Sequence, residues 1–208
     1  MKSYLVEFIG TFFLVLVIGL VVIDPGAGNL APVAIGSILT VLVYAGGPIS
    51  GAHYNPAVTL AVWLRGKCDR KDVPPYIMVQ CIGAILAGFA VRLLKAGSPV
   101  NPMNPVVGHA LLAEVLFTFA LAFVILNVAT SKKSSGNSYF GLAIGFTVLA
   151  GAYAVGPISG AVFNPAVALG ITTMGLSAIP NLWIYLVADF IGGAAATTVY
   201  KLANPDEF

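Results

Sequence analysis

The chain has 208 residues, of which 59% are hydrophobic and only 9% charged, with a formal net charge of +2. Soluble domains carry roughly 25% charged residues, so a mean hydropathy of +0.96 excludes a water-soluble globule and indicates a chain dissolved mostly in lipid. Neither a nucleic-acid partner nor a cofactor is expected.

Apolar runs of bilayer-spanning length fall at about 4–23, 31–48, 74–95, 110–130, 139–156 and 180–202, each long enough for roughly 30 Å of hydrocarbon. In lipid every backbone polar group must be satisfied internally, so these runs are predicted helices. The first carries Glu7 and runs into Val21-Val22-Ile23 without a small-residue cleavage site, so it reads as a span, not a cleavable signal. After the second and fifth runs the same phrase recurs, Ile49-Ser50-Gly51-Ala52-His53-Tyr54-Asn55-Pro56-Ala57-Val58 and Ile158-Ser159-Gly160-Ala161-Val162-Phe163-Asn164-Pro165-Ala166-Val167, 109 residues apart. The same offset places Ala34-Ile35-Gly36 over Ala143-Ile144-Gly145 and Gly83 over Gly192, while an offset of 107 places Glu7 over Glu114.

A repeat on this scale predicts one channel domain, 1–208, built from two homologous halves at about 1–100 and 108–204. Three spans per half is an odd number, so the second half enters the membrane upside down, an inverted-topology repeat. Lys2, Arg65, Lys67, Arg70, Lys71, Lys132, Lys133 and Lys201 fall on one side of a six-span chain, against Arg92 and Lys95 on the other. That excess predicts both termini in the cytoplasm, with the protein in the cell (plasma or inner) membrane.

Each phrase precedes a stretch too short to cross, Ala57 to Leu64 and Ala166 to Thr173. Asn is a preferred N-cap and Pro a preferred first helical residue, so Asn55-Pro56 and Asn164-Pro165 read as starts of re-entrant half-helices that inversion points at each other. An Asn oxygen capping its own helix leaves its NH2 free, and two dipole ends add partial positive charge. A water or hydroxyl passing there would accept two hydrogen bonds with its protons turned toward opposite mouths, interrupting proton hopping while cations are repelled. Carbonyls of the extended segments Gly51-Ala52-His53 and Gly160-Ala161-Val162 would supply acceptors.

These residues resemble the aquaporin and aquaglyceroporin (major intrinsic protein) family over essentially the whole chain: Glu7-Phe8-Ile9-Gly10-Thr11, Ser50 to Thr59, Gln80 with Gly83-Ala84, Glu114, and Ser159 to Gly170. The resemblance implies an all-α integral membrane fold of six transmembrane helices and two half-helices, one pore per subunit and a homotetramer. It implies that Asn55, Pro56, Ala57, Asn164, Pro165 and Ala166 form the pore motifs, and that Ile35, Ala152, Ala161 and Val167 form the selectivity filter. Val167 stands where water-selective members place Arg, so the filter is expected to be wide and apolar.

Glu7 and Glu114 are ionisable groups inside spans; repeat symmetry reads them as supports for the re-entrant loops, with a proton path as the functional alternative. Asp189 matches Gln80 under the 109 offset and stands where the family usually has Pro, read either as a paired structural group at a helix or subunit contact or as a pore feature. His53 reads as a pH gate or as a packed loop residue. Cys68 and Cys81 give no metal motif, though Cys68 is a candidate for redox or mercury reactivity. The stretch Gly97 to Gly108 could dip toward the pore mouth, where Met103 or His109 would narrow it. No nucleophile, base and orienting group recur together, so an enzyme is not expected. The expected function is a passive channel for water and small neutral solutes such as glycerol, urea, ammonia or hydrogen peroxide. The competing readings are a secondary transporter and a structural membrane protein with a vestigial pore.

Overall fold

The computed structural model describes residues 1–207. In chain order the helices are α1 (Lys2–Val22), α2 (Ala31–Ser50), α3 (Pro56–Leu64), α4 (Val73–Leu94), α5 (Val107–Ile125), α6 (Phe140–Ser159), α7 (Pro165–Met174) and α8 (Leu182–Ala203). Among the described residues, six helical segments are long and apolar enough to cross a bilayer. The nine residues of α3 and ten of α7 rise only about 14–15 Å, half the hydrocarbon thickness.

Packing repeats across the two halves. Helix α1 lies against α2 and α4, α5 lies against α6 and α8, and α2 meets α6 along a central seam. Each half-helix, however, packs on the last helix of the opposite half, α3 on α8 and α7 on α4.

Lipid tails are as apolar as leucine, so the bundle cannot be held by excluding oil from oil; close backbone approach and buried polar bonds hold it instead. A Cβ on Gly83 would stand 2.7 Å from the Phe8 carbonyl oxygen, and one on Gly192 2.7 Å from that of Val115. Glycine at these two repeat-related positions therefore sets the α1–α4 and α5–α8 spacing. The large side chains point outward instead: Met78, Ile82, Leu86, Phe89 and Leu93 recur at helical spacing along α4 and are all exposed.

The fourth span reaches residue 130 as expected, but its last turn changes character: α5 ends at Ile125 and continues as a π-helical turn, Leu126–Thr130. There the Asn127 side chain donates to the Phe123 carbonyl (2.7 Å) and Thr130 Oγ1 to that of Leu126 (2.6 Å), competing with the helical ladder. In the 97–108 stretch it is Met103, and not His109, that reaches the pore region. The Met103 N–H donates to the Leu176 carbonyl (2.9 Å), Asn181 Nδ2 donates to the Met103 carbonyl (3.1 Å), and the Met103 sulfur lies beside Gly160. His109 is exposed at the start of α5.

Candidate functional site

The two half-helices begin against each other at the centre of the bundle. Asn55 Oδ1 accepts from the N–H groups of Ala57 (2.8 Å) and Val58 (3.4 Å), and Asn164 Oδ1 from those of Ala166 (2.9 Å) and Val167 (3.4 Å). Pro56 and Pro165 occupy the first helical position, where no N–H is needed. The amides also cross between halves: Asn55 Nδ2 donates to the Phe163 carbonyl (2.8 Å) and Asn164 Nδ2 to the Tyr54 carbonyl (2.9 Å). This corrects the expectation that both amide hydrogens are free. One hydrogen on each Asn locks the halves together and one remains.

The approach to each Asn is a strained loop, not the extended segment expected from the sequence. Gly51 and Gly160 end their helices at φ +87° and +92°, a region open to glycine. Beyond them Ala52, Tyr54, Ala161 and Phe163 also have positive φ, between 50° and 53°. Such conformations cost about 1–3 kcal/mol each and persist only where surroundings over-determine them.

Buried carboxyl groups supply that determination. Glu7 Oε1 accepts from Ser50 Oγ (2.7 Å) and the His53 N–H (2.9 Å), while Oε2 accepts from the Tyr54 N–H (2.7 Å) and Gln80 Nε2 (2.8 Å). In the other half Glu114 accepts from the N–H groups of Val162 (3.0 Å) and Phe163 (2.6 Å). Successive N–H groups of each loop are thus bound to one carboxyl, which satisfies buried backbone donors that no helix or strand partners. Tyr76 and Tyr185 close the symmetry, their hydroxyls donating to the carbonyls of Ser50 (2.7 Å) and Ser159 (3.0 Å).

A cavity of about 90 Å³ runs along this junction. Ile35, Ala152, Ala161 and Val167 line it together, alongside Asn55 and Asn164, although they come from α2, α6, the second loop and α7. Ala52, His53, Gly160 and Val162 also border it, whereas Gly51 borders a vestibule on the Lys67 side. None of these four side chains bears a hydrogen-bond donor.

A profile of the major intrinsic protein family matches residues 1–200. The chain belongs to that family. Its relatives include aquaporin NIP1-4 of Oryza sativa subsp. japonica, 36% identical over 97% of this chain and 77% of the relative. Nodulin-26 of Glycine max is 36% identical over 98% of this chain and 78% of its own length. Among solved structures, the aquaglyceroporin from Plasmodium falciparum superposes with a TM-score of 0.82 at 23% identity, covering 99% of this chain and 98% of that one, a likeness of fold. As a member of the family the chain is a membrane channel, not an enzyme.

The remaining polar residues fall into place around the pore. His53 is buried, its Nδ1 3.1 Å from Thr59 Oγ1 and its ring edge-on to Tyr76. Asp189 is wholly buried between α8 and α5, where Thr118 Oγ1 donates to Oδ1 (3.0 Å), and it does not border the cavity. Cys68 is half-buried beside Asp69 and Asp72; burial first, then those carboxyls, pushes its thiol up, which disfavours the reactive thiolate and argues against the expected reactivity.

One buried cluster was not foreseen. Arg65, directly after α3, donates through Nη2 to Glu207 Oε2 (2.7 Å) and through Nη1 to the Glu207 carbonyl (2.6 Å). Glu207 also accepts from Ser131 Oγ (2.6 Å), the Lys132 N–H and Tyr200 Oη (2.9 Å), so it ties the tail after α8 to α3 and to the 131–135 connector. The Ser131 hydroxyl bond, with further bonds from Tyr200 and the backbone, pulls the Glu207 carboxyl down to about 2. An Arg after the half-helix was the only sequence signal, and its partner lies 142 residues away.

Proposed function

We propose that the chain conducts water and small neutral solutes, of the size of glycerol, urea, ammonia or hydrogen peroxide, passively through one pore per subunit. The observation that carries this reading is the lining: an apolar ring of Ile35, Ala152, Ala161 and Val167 beside two Asn amides, each with one hydrogen free. A solute oxygen at the junction accepts from Asn55 and Asn164, and backbone carbonyls of the bordering loop residues Ala52, His53, Gly160, Ala161 and Val162 accept from the solute in turn. Between these points nothing replaces its hydration shell, so the filter selects by size and by how little a molecule loses on shedding water. Charged species lose most. The dipole starts of α3 and α7 add repulsion for cations, and this suffices for ion exclusion without an Arg in the ring. The names of relatives, aquaporin NIP1-4 and an aquaglyceroporin, support the same class of cargo.

The chain assembles as a homotetramer with four parallel pores, both termini face the cytoplasm, and the membrane is that of the cell surface. The excess of Lys and Arg on the Lys67 side supports the orientation.

The test is stopped-flow light scattering of proteoliposomes against water, glycerol and urea gradients, wild type beside Val167→Arg. A bulky cation in an apolar ring reduces glycerol and urea flux more than water flux. Equal reduction of all three, or none, removes Val167 from the constriction. Cation currents that scale with purified protein would overturn the ion-exclusion reading.

A further inference from the structure

The backbone donors around Glu7 and Glu114 pair one by one under the repeat: the N–H groups of His53 and Tyr54 match those of Val162 and Phe163. Ser50, which donates to Glu7, has Ser159 at its repeat position. The fourth donor breaks the pattern. In the first half it is Gln80 Nε2, 2.8 Å from Glu7; 109 residues on stands Asp189, wholly buried on α8 against α5, the helix that carries Glu114.

Two carboxyl groups bond to each other only through a proton. Both are wholly buried, where two like charges in contact are costly. Among the described residues no cation relieves them: α3 and α7 contain no ionisable residue, α5 brings only Glu114 to this level, and α8 adds only Tyr185, whose hydroxyl is committed to Ser159. Thr118 donates to Asp189 Oδ1, while the buried Oδ2 has no hydrogen-bond donor among the described residues.

We propose that Asp189 carries a proton on Oδ2 and donates it to Glu114, holding the second re-entrant loop as Gln80 holds the first. The proton stays within the pair; no step of conduction consumes or releases it. Asp189 is thus a positioning residue, acting on Val162 and Phe163 through Glu114. The inference rests on the channel reading for its consequence on flux, but the protonation itself does not.

The experiment therefore has two readouts. Infrared spectroscopy of the purified protein at neutral pH should show a protonated-carboxyl stretch that shifts in D2O and is absent in Asp189→Asn. Absence of the band from wild type, or its persistence in Asp189→Asn, overturns the proposal whether or not any solute passes. In proteoliposomes Asp189→Leu should lower water permeability about tenfold, the scale of one buried acceptor left unpaired, and Asp189→Asn should restore most of that loss through its amide donor. Equal deficits in the two variants overturn it as well.

Discussion

Replacing Glu7 with Gln is the sharpest test of how the pore is held open, because it changes hydrogen bonding with almost no change of shape. Four donors converge on Glu7: Ser50 Oγ, the His53 and Tyr54 N–H groups and Gln80 Nε2, all within 2.9 Å. An amide keeps the two bonds on its oxygen and sets its own NH2 against the other two donors. Two buried donors left unpaired cost about 1–3 kcal/mol each, or about 2–6 kcal/mol together. Since the loop is strained at Ala52 and Tyr54, it relaxes when those bonds go, and the Tyr54 carbonyl withdraws from Asn164. Thermal unfolding in detergent should fall by roughly 5–20 °C at about 2–4 °C per kcal/mol, and water permeability of proteoliposomes should fall with it. Glu114→Gln should be milder, because its new NH2 can donate to Asp189. Wild-type melting and permeability in Glu7→Gln would refute the claim that carboxyl bonds hold the loop; equal losses in the two variants would refute the asymmetry.

Other outcomes follow from the same contacts. Gly192→Val drives side-chain carbon into the Val115 carbonyl, already 2.7 Å from an added Cβ, and should destabilise by about 1–3 kcal/mol, seen as a lower melting temperature; Gly108→Ala, in open space, should not. Glu207 sits below its ordinary value of 4.5, so its share of stability is complete above that pH and is lost as pH falls toward about 2. Limited proteolysis should accordingly find the tail resistant at neutral pH and cut readily at strong acid, whereas Glu207→Gln should be cut at both. Labelling of Cys68 by a thiol reagent should be slow at neutral pH and accelerate with alkalinity more than a free thiol does; ordinary rates at neutral pH would contradict its raised thiol.

What could be read from the sequence was whatever local chemistry encodes. Asn55-Pro56 and Asn164-Pro165 announce their helices because the cap and the first helical residue are neighbours, and Gly51 and Gly160 announce the turns because the backbone there needs positive φ. Glu7 and Glu114 could be read because the repeat marks both. The cross-links Asn55 to Phe163 and Asn164 to Tyr54 could not, since each joins an amide to a backbone carbonyl, which every residue has, 108 and 110 positions away. Positive φ at Ala52, Tyr54, Ala161 and Phe163 was hidden for a related reason: none of these residue types favours it, and the bonds imposing it come from α1 and α5. The tail cluster on Glu207 lies outside the repeat, so no second copy drew attention to it.

The exchange of half-helices between halves also governs how the chain can be made. Helix α3 ends at Leu64 and the surface it rests on begins at Leu182, 118 residues later, which at about 5–20 residues per second is roughly 6–24 s of synthesis. Through that interval a segment too short to cross waits without its partner, its polar entry loop tethered by Glu7 and Tyr76 of the first half. The ribosome thus delivers a first half that is incomplete by construction, and the pore closes into shape only when the last helix arrives.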